Sequence, residues 1–324
     1  MVVRLGLAGD TMLGRGVAGQ LERDPDWELF SSDLREAALE ADAVLLNLEC
    51  AVSSRGERWA DPRKPFFFRA PPRAVDPLVE LGVRCVTLAN NHALDYGPVA
   101  LLDTVDHLGS AGIAVVGAGP DLRSARHPAV LEVGGLRIGV VGVTDHPEDF
   151  AAADDHPGVA HADLRRDGVP DWLAGTVRDL RVDVDLVLVT PHWGPNMNRA
   201  PLPYVRRAAD ALRDAGAGVV AGHSAHVFHG VAQGVLFDLG DFVDDYAVDA
   251  VLRNDIGLFF LLDVDRDGPV RLEALPLTLD FCRTRLADAA DAAWARRRFR
   301  SACAELGTEV GIEAGRLVVT WPRT

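Results

Sequence analysis

Residues 86–97 read VTLANNHALDYG: an apolar run, Val83 to Leu88, stops at Asn90, Asn91 and His92, and Asp95 and Gly97 follow before a helical pattern opens at Pro98. An apolar run bounded in this way predicts a buried strand with a polar tip that leads into a helix. In an α/β sheet, ligands bind outside the carboxyl ends of the strands. An amide and an imidazole placed there face a crevice rather than a core.

Other strand ends repeat the form. VVRLGLAG (2–9) stops at Asp10 and Thr11, Ala43 to Leu48 runs into Glu49, and DLVLVT (185–190) ends in Pro191, His192, Trp193 and Gly194. Gly218 to Ala221 ends in Gly222, His223, Ser224, Ala225 and His226, and Val235 to Leu239 ends in Gly240 and Asp241. Helical patterns at 33–40, 98–108 and 203–215 alternate with these strands, which predicts an α/β fold.

Val130 to Val133 with Leu136 to Val143 predicts a hairpin turning at Gly134 and Gly135. Residues 256–264 and 270–279 predict a terminal antiparallel pair, and 285–306 a helix whose Arg296, Arg297, Arg298 and Arg300 lie on an exposed face. No repeat or linker divides the chain, so residues 1–280 are expected to form one domain, with 281–324 as a helix and strand extension of it.

Two stretches lack a period. Residues 53–72 are polar, basic and proline-containing, and are expected to cross the crevice as a lid or substrate wall, with Phe66, Phe67 and Phe68 packing it onto the body. Residues 145–163 hold Asp145, His146, Asp154, Asp155, His156, His161 and Asp163 without ligand spacing, and are expected to form a solvated loop.

Composition narrows the function. The 324 residues are 48% hydrophobic with a mean hydropathy of +0.07, globular values, and no apolar run approaches a membrane span. Neither a membrane nor a signal peptide is expected, and four scattered cysteines without CxxC spacing suit a reducing cytoplasm. A net charge of −15, from 48 acidic and 33 basic residues, repels nucleic acid at long range. A small anionic substrate is compatible with that charge if bound cations dominate the site. The oligomeric state is left open.

Together the tips offer Asp10, Glu49, Asn91, His92, His192, His223 and His226. Carboxylate, amide and imidazole suit a pair of divalent ions such as Mn, Fe or Zn, with Glu49 or another carboxylate able to bridge. Two such ions, about 3.5–4 Å apart, activate water for hydrolysis.

The motifs GDTMLGRG (9–16), NLECAVS (47–53), LANNHALDYG (88–97), PHWG (191–194), GHSAHVFHG (222–230) and FDLGDF (237–242) resemble those of the CapA-type poly-γ-glutamate capsule biosynthesis proteins. That family belongs to the calcineurin-like metallophosphoesterase superfamily. The resemblance spans about residues 3–262. It implies a calcineurin-like metallophosphoesterase fold, layered β-sheets flanked by helices, with two divalent metal ions.

By position, the resemblance implies Asp10 as a ligand of the first metal, Glu49 as the bridge, Asn91 and His192 as ligands of the second, and His223 and His226 completing the two sites. It implies His92 as general acid with Asp95 orienting it, and Arg15, Asn90, Trp193 and Asn196 at the substrate. The chain also departs from the pattern. Met12 stands where the superfamily has histidine, Asn196 where the family has glutamate, Ser224 and Ala225 in place of a histidine-proline pair, and Asp241 in place of asparagine.

The expected function is a metal-dependent hydrolase acting on a phosphoester or on an amide of an acidic, glutamate-like compound. The competing expectation is a non-catalytic, metal-containing binding or assembly factor for an anionic capsule polymer.

Overall fold

The structure is a computed structural model that describes residues 1–24, 26–166 and 168–321. Its larger sheet has ten strands. In spatial order its main run is Gly311–Glu313, Arg316–Thr320, Gly268–Asp280, Ile256–Asp265, Val3–Thr11, Ala43–Leu48, Val83–Thr87 and Ala114–Val116. The last four are parallel to one another, and Asp241–Val243 joins the far end of Val3–Thr11, also in parallel. A second sheet of six strands has Leu136–Thr144, Leu186–His192, Val219–Ala221 and Val235–Leu236 as parallel neighbours, with the expected hairpin strand Ala129–Val133 at one edge.

The two sheets face each other, and the period-2 alternation of each strand sorts its side chains. Leu5, Leu7 and Leu45 of the first sheet meet Ile138, Val140, Leu186 and Leu188 of the second in the layer between them. Ala8, Val44 and Leu46 point the other way, under Val17 and Leu21 of helix Arg15–Arg23 and Leu101 and Leu108 of helix Gly97–Ser110. Val187 and Val189 cover the outer face of the second sheet beneath helices Asp171–Asp183 and Pro203–Asp214. Val205, Ala208, Ala209 and Leu212 supply the apolar stripe of the latter helix at i, i+3, i+4 and i+7. Each large side chain buried in this way contributes about 1.5–3 kcal/mol.

The C-terminal extension completes the larger sheet, because Arg316–Thr320 pairs with Gly268–Asp280. Its helix runs Ala289–Ala304, later than the pattern suggested. Arg283–Leu286 is a strand, and Asp288 caps the helix by accepting from the N–H groups of Ala290 and Asp291.

Lys64 and the Phe68 N–H of the 53–72 stretch reach Asp95, but only part of the expected packing occurs. Phe68 is buried, whereas Phe66 is 54% exposed. The 145–163 stretch is less solvated than expected at its start, where Thr144 and His161 form an isolated bridge and the Asp145 side chain is buried. No helix among the described residues is long and apolar enough to cross a membrane.

Candidate metal centre

The carboxyl ends of parallel strands from both sheets meet at one rim. His192 and His223 form a bridge between neighbouring strand ends of the second sheet. In the first sheet Asp10 lies in register with Asn47 on one side and Asp241 on the other. The register slips between Ala8 and Asp10, a bulge that re-aims the Asp10 side chain. Gly9 is required there: a Cβ would fall 1.8 Å from the Gly240 carbonyl oxygen, which accepts the Asp10 N–H. Across the rim, Ser224 and His226 hold φ of 110° and 59°, a backbone that L-residues adopt only under constraint and that clusters at functional sites.

Asp10 is the hub. Its Oδ1 accepts from Asn47 Nδ2 at 2.8 Å and lies 3.1 Å from His223 Nδ1, and its Oδ2 accepts from the Ser224 N–H at 3.2 Å. His226 Nδ1 sits between Asp241 Oδ1 at 2.8 Å and Asp10 Oδ2 at 3.4 Å. Donor atoms of Asp10, His226 and Asp241 all lie within 4.8 Å of one another. Glu49 Oε1 stands 3.9 Å from both His92 Nε2 and His192 Nε2.

Several buried donor atoms have no partner: Glu49 Oε1, Asn91 Oδ1, His192 Nε2 and Asp241 Oδ2. Buried polar atoms are normally hydrogen-bonded, so such a group calls for a ligand. The His192 tautomer agrees. Thr144 Oγ1 donates its proton to the His146 carbonyl and can only accept from His192 Nδ1 at 3.4 Å, which leaves the Nε2 lone pair free. These donors fit divalent metal, and the group next to Asp10 includes Asp241, which the sequence placed at a strand end but not among the expected ligands. Met12, at the superfamily's histidine position, is packed in the core and its sulfur accepts the Gly14 N–H.

Without metal the site is overloaded with negative charge. Burial and the Asp10 carboxylate push Glu49 well above the usual carboxylate range, and burial with Asp244 does the same to Asp241. Burial also works to raise Asp10, but the His223 hydrogen bond and the surrounding imidazoles outweigh it and hold Asp10 low. Burial alone would lower His226; Glu49 and Asp10 overcome it and raise its pKa. Burial and His146 depress His192.

His92 forms a second unit. Its Nδ1 is 2.6 Å from Asp95 Oδ2, which also accepts the Phe68 N–H at 2.6 Å. Lys64 Nζ lies 2.9 Å from Asp95 Oδ1 and donates to the Asn91 carbonyl at 2.7 Å. The Phe68 ring packs on the imidazole with centroids 4.1 Å apart. Burial pulls the His92 pKa down to about 4 against the opposing pull of Asp95. At neutral pH the ring therefore carries one proton, held toward Asp95, and Nε2 faces Glu49.

The four residues expected at the substrate are placed differently from one another. Asn90 gives Nδ2 to Asn47 and to the Leu48 carbonyl and accepts the His92 N–H, so it fixes the turn. Trp193 is buried and donates to the Phe237 carbonyl at 2.9 Å. Arg15 grips Asp245 and lies over the rings of Phe66, Phe68 and Tyr246, whereas Asn196 is exposed. The polar groups of Asn90 and Trp193 are thus taken up inside the fold.

Sequence reasoning missed Asn47, Lys64, Asp241 and the pair Asp145–His146. Asp145 accepts from the Gly194 N–H at 3.1 Å and the Tyr204 hydroxyl at 2.8 Å while holding His146 Nδ1, and the His146 ring lies 4.9 Å from that of His192. Asp241 did carry a signal, being a carboxylate at a strand tip like Asp10.

The family model "Bacterial capsule synthesis protein PGA_cap" matches residues 4–246, a span that contains every one of these groups. The chain belongs to that family. PGA_cap proteins have the metallophosphoesterase-like fold, in agreement with the layered sheets described above. A probable polyglutamine synthesis accessory protein of Mycobacterium tuberculosis (strain H37Rv) is 33% identical, over 95% of this chain and 93% of that protein. The PGA biosynthesis protein CapA of Bacillus subtilis is 27% identical over 86% of this chain and 72% of its own length. A hypothetical protein from Thermus thermophilus, solved by crystallography, aligns over 87% of this chain and 95% of its own with a TM-score of 0.44 and 19% identity.

Proposed function

We propose that this PGA_cap protein is a dinuclear metal-dependent hydrolase of a phosphoester or an amide in an acidic, glutamate-like compound. The observation that carries the reading is the set of unpartnered, buried donor atoms on Glu49, Asn91 and His192 beside the Asp10, His226 and Asp241 group. Asp10, His223, His226 and Asp241 would hold one ion, Asn91 and His192 the other, and Glu49 would lie between them. A divalent pair, when bound, supplies activated water and neutralises developing charge.

The chain's own contribution is proton management. Asp95 and Lys64 fix the His92 ring, Phe68 shields one face, and Nε2 is left toward the centre. An anion bound there favours the doubly protonated ring, which then returns a proton from Nε2 to the departing oxygen or nitrogen. Four buried, free cysteines suit the cytoplasmic setting of this reading.

The test is a panel of phosphoesters and γ-glutamyl amides with added Mn, Zn or Fe. Turnover by the wild type and a loss of at least about a hundredfold in His92→Ala are expected. Metal binding without turnover of any substrate would replace the hydrolase by a metal-containing binding factor.

A further inference from the structure

Tyr246 forms an aromatic wall of the candidate centre, and neither the donor set nor the His92 unit uses it. Its ring meets that of His226 edge-on, with centroids 5.3 Å apart at 80°. It also lies 5.8 Å from Phe68, the ring that packs on His92. One side chain therefore touches both the Asp10, His226 and Asp241 group and the cover of the proton donor.

The tyrosine is held from several directions. Its N–H donates to Asp244 Oδ1 at 2.9 Å, which closes a turn just beyond strand Asp241–Val243. The neighbouring Asp245 is clamped to the start of helix Arg15–Arg23, accepting from Arg15 Nε at 2.9 Å and from the Gly16 N–H at 2.8 Å. The Arg15 guanidinium then lies 5.5 Å from the Tyr246 ring centre. Arg15 holds a φ of 46° in this position, a backbone cost that the two contacts offset. Expected at the substrate itself, Arg15 instead fixes the residue beside it.

Backbone and ring are thus engaged, but the hydroxyl is not: it makes no hydrogen bond among the described residues. A phenol keeps its proton at neutral pH, and here burial, followed by the Glu49 carboxylate, raises its pKa further. It is a donor in search of an oxygen. Asp10 and Asp241 already face imidazoles, and Glu49 stands between His92 and His192. The acceptor best matched to this O–H is a charged oxygen of a molecule bound at the centre, because such bonds are short and strong.

We propose that Tyr246 is a further substrate-contacting residue, whose hydroxyl donates to an oxygen of a tetrahedral oxyanion at the candidate centre. The role rests on the hydrolase reading in one respect, that bound ions bring the oxyanion there.

Inorganic phosphate, itself a tetrahedral oxyanion, is the probe, titrated by calorimetry into the full chain loaded with Zn. The wild type should bind it, and Tyr246→Phe at least about tenfold more weakly, with the same ion content and melting temperature. A second readout is spectroscopic. With ring-fluorinated tyrosine, the chain's three tyrosines give three fluorine resonances, assigned by Tyr96→Phe, Tyr204→Phe and Tyr246→Phe. Phosphate should move the Tyr246 resonance and leave that of Tyr204, whose hydroxyl is held by Asp145. If Tyr246→Phe does not fold, the other two variants still assign the signal. The inference is overturned if Zn-loaded wild type binds no phosphate, if the Tyr246 resonance stays in place, or if Tyr246→Phe binds as tightly as the wild type. Turnover with undiminished phosphate binding in Tyr246→Phe would sink this role alone. Phosphate held through Tyr246 without turnover of any substrate would sink the hydrolase reading alone.

Discussion

Replacing Asp241 by asparagine sets folding and metal binding against each other. In the metal-free protein Asp241 and Asp244 crowd together, each with a buried oxygen that has no partner. Asparagine keeps an oxygen for His226 Nδ1, now 2.8 Å from Asp241 Oδ1, and turns an N–H toward Asp244. Removing a buried, unsatisfied charge is worth about 1–3 kcal/mol. That corresponds to a rise in Tm of roughly 2 °C per kcal/mol for a chain of this size. The sign with pH follows from the raised Asp241 pKa: the wild type loses stability as pH rises from the unfolded carboxyl value through the folded one. The advantage of the variant is therefore greatest above neutrality and shrinks toward acid. With metal the advantage is offset, and at the lower end of that range reversed. If the substitution weakens binding a hundredfold, about 2.7 kcal/mol of metal-induced stabilisation disappears at a concentration that saturates the wild type. Melting curves in chelator and in Mn or Zn, at pH 8 and pH 5, read both effects. A variant less stable in chelator, with an undiminished metal shift, would show that Asp241 is neither strained in the metal-free protein nor a metal ligand.

Other substitutions probe the frame of the site. Gly9→Ala places a methyl on the Gly240 carbonyl, 1.8 Å away, and should abolish soluble folding, as seen by expression and circular dichroism. Lys64→Met leaves Asp95 with its Phe68 and His92 contacts but no cation; a loss of about 2–4 kcal/mol by urea unfolding is expected, less in the Lys64→Met, Asp95→Asn pair than the two single losses combined. Asp288→Ala removes the cap of the last helix and should cost about 0.5–2 kcal/mol without altering metal content.

The strands and their tips were legible because each apolar run is cut by a polar residue that no core would accept, as at Asp10, Asn91 and His192. What one sequence could not reveal was partnership. Nothing in Leu186–His192 says that its inner face meets Leu5 and Leu7 rather than a helix, since that pairing is long-range. Helix Arg15–Arg23 carries Gly16 and Gly19, poor helix formers, and gives no helical signal in the sequence; burial of Val17, Ala18 and Leu21 overrides the propensity. Helix Asp171–Asp183 escaped notice for a similar reason, with Gly175 and Val177 in its interior. Asp145 and His146 looked like loop because their partners, Tyr204 and His192, come from distant segments. Lys64 lies in an aperiodic stretch and acquires its place only when that stretch packs over Asp95.

The buried donors at these strand tips are expected to hold metal. Mass-spectrometric metal analysis of protein purified without chelator, for the wild type and for His192→Ala, measures this. Two divalent ions per chain in the wild type, and the loss of at least one in the variant, are predicted. A wild-type chain that carries no divalent ion, and takes up none from excess Mn, Fe or Zn, would contradict it.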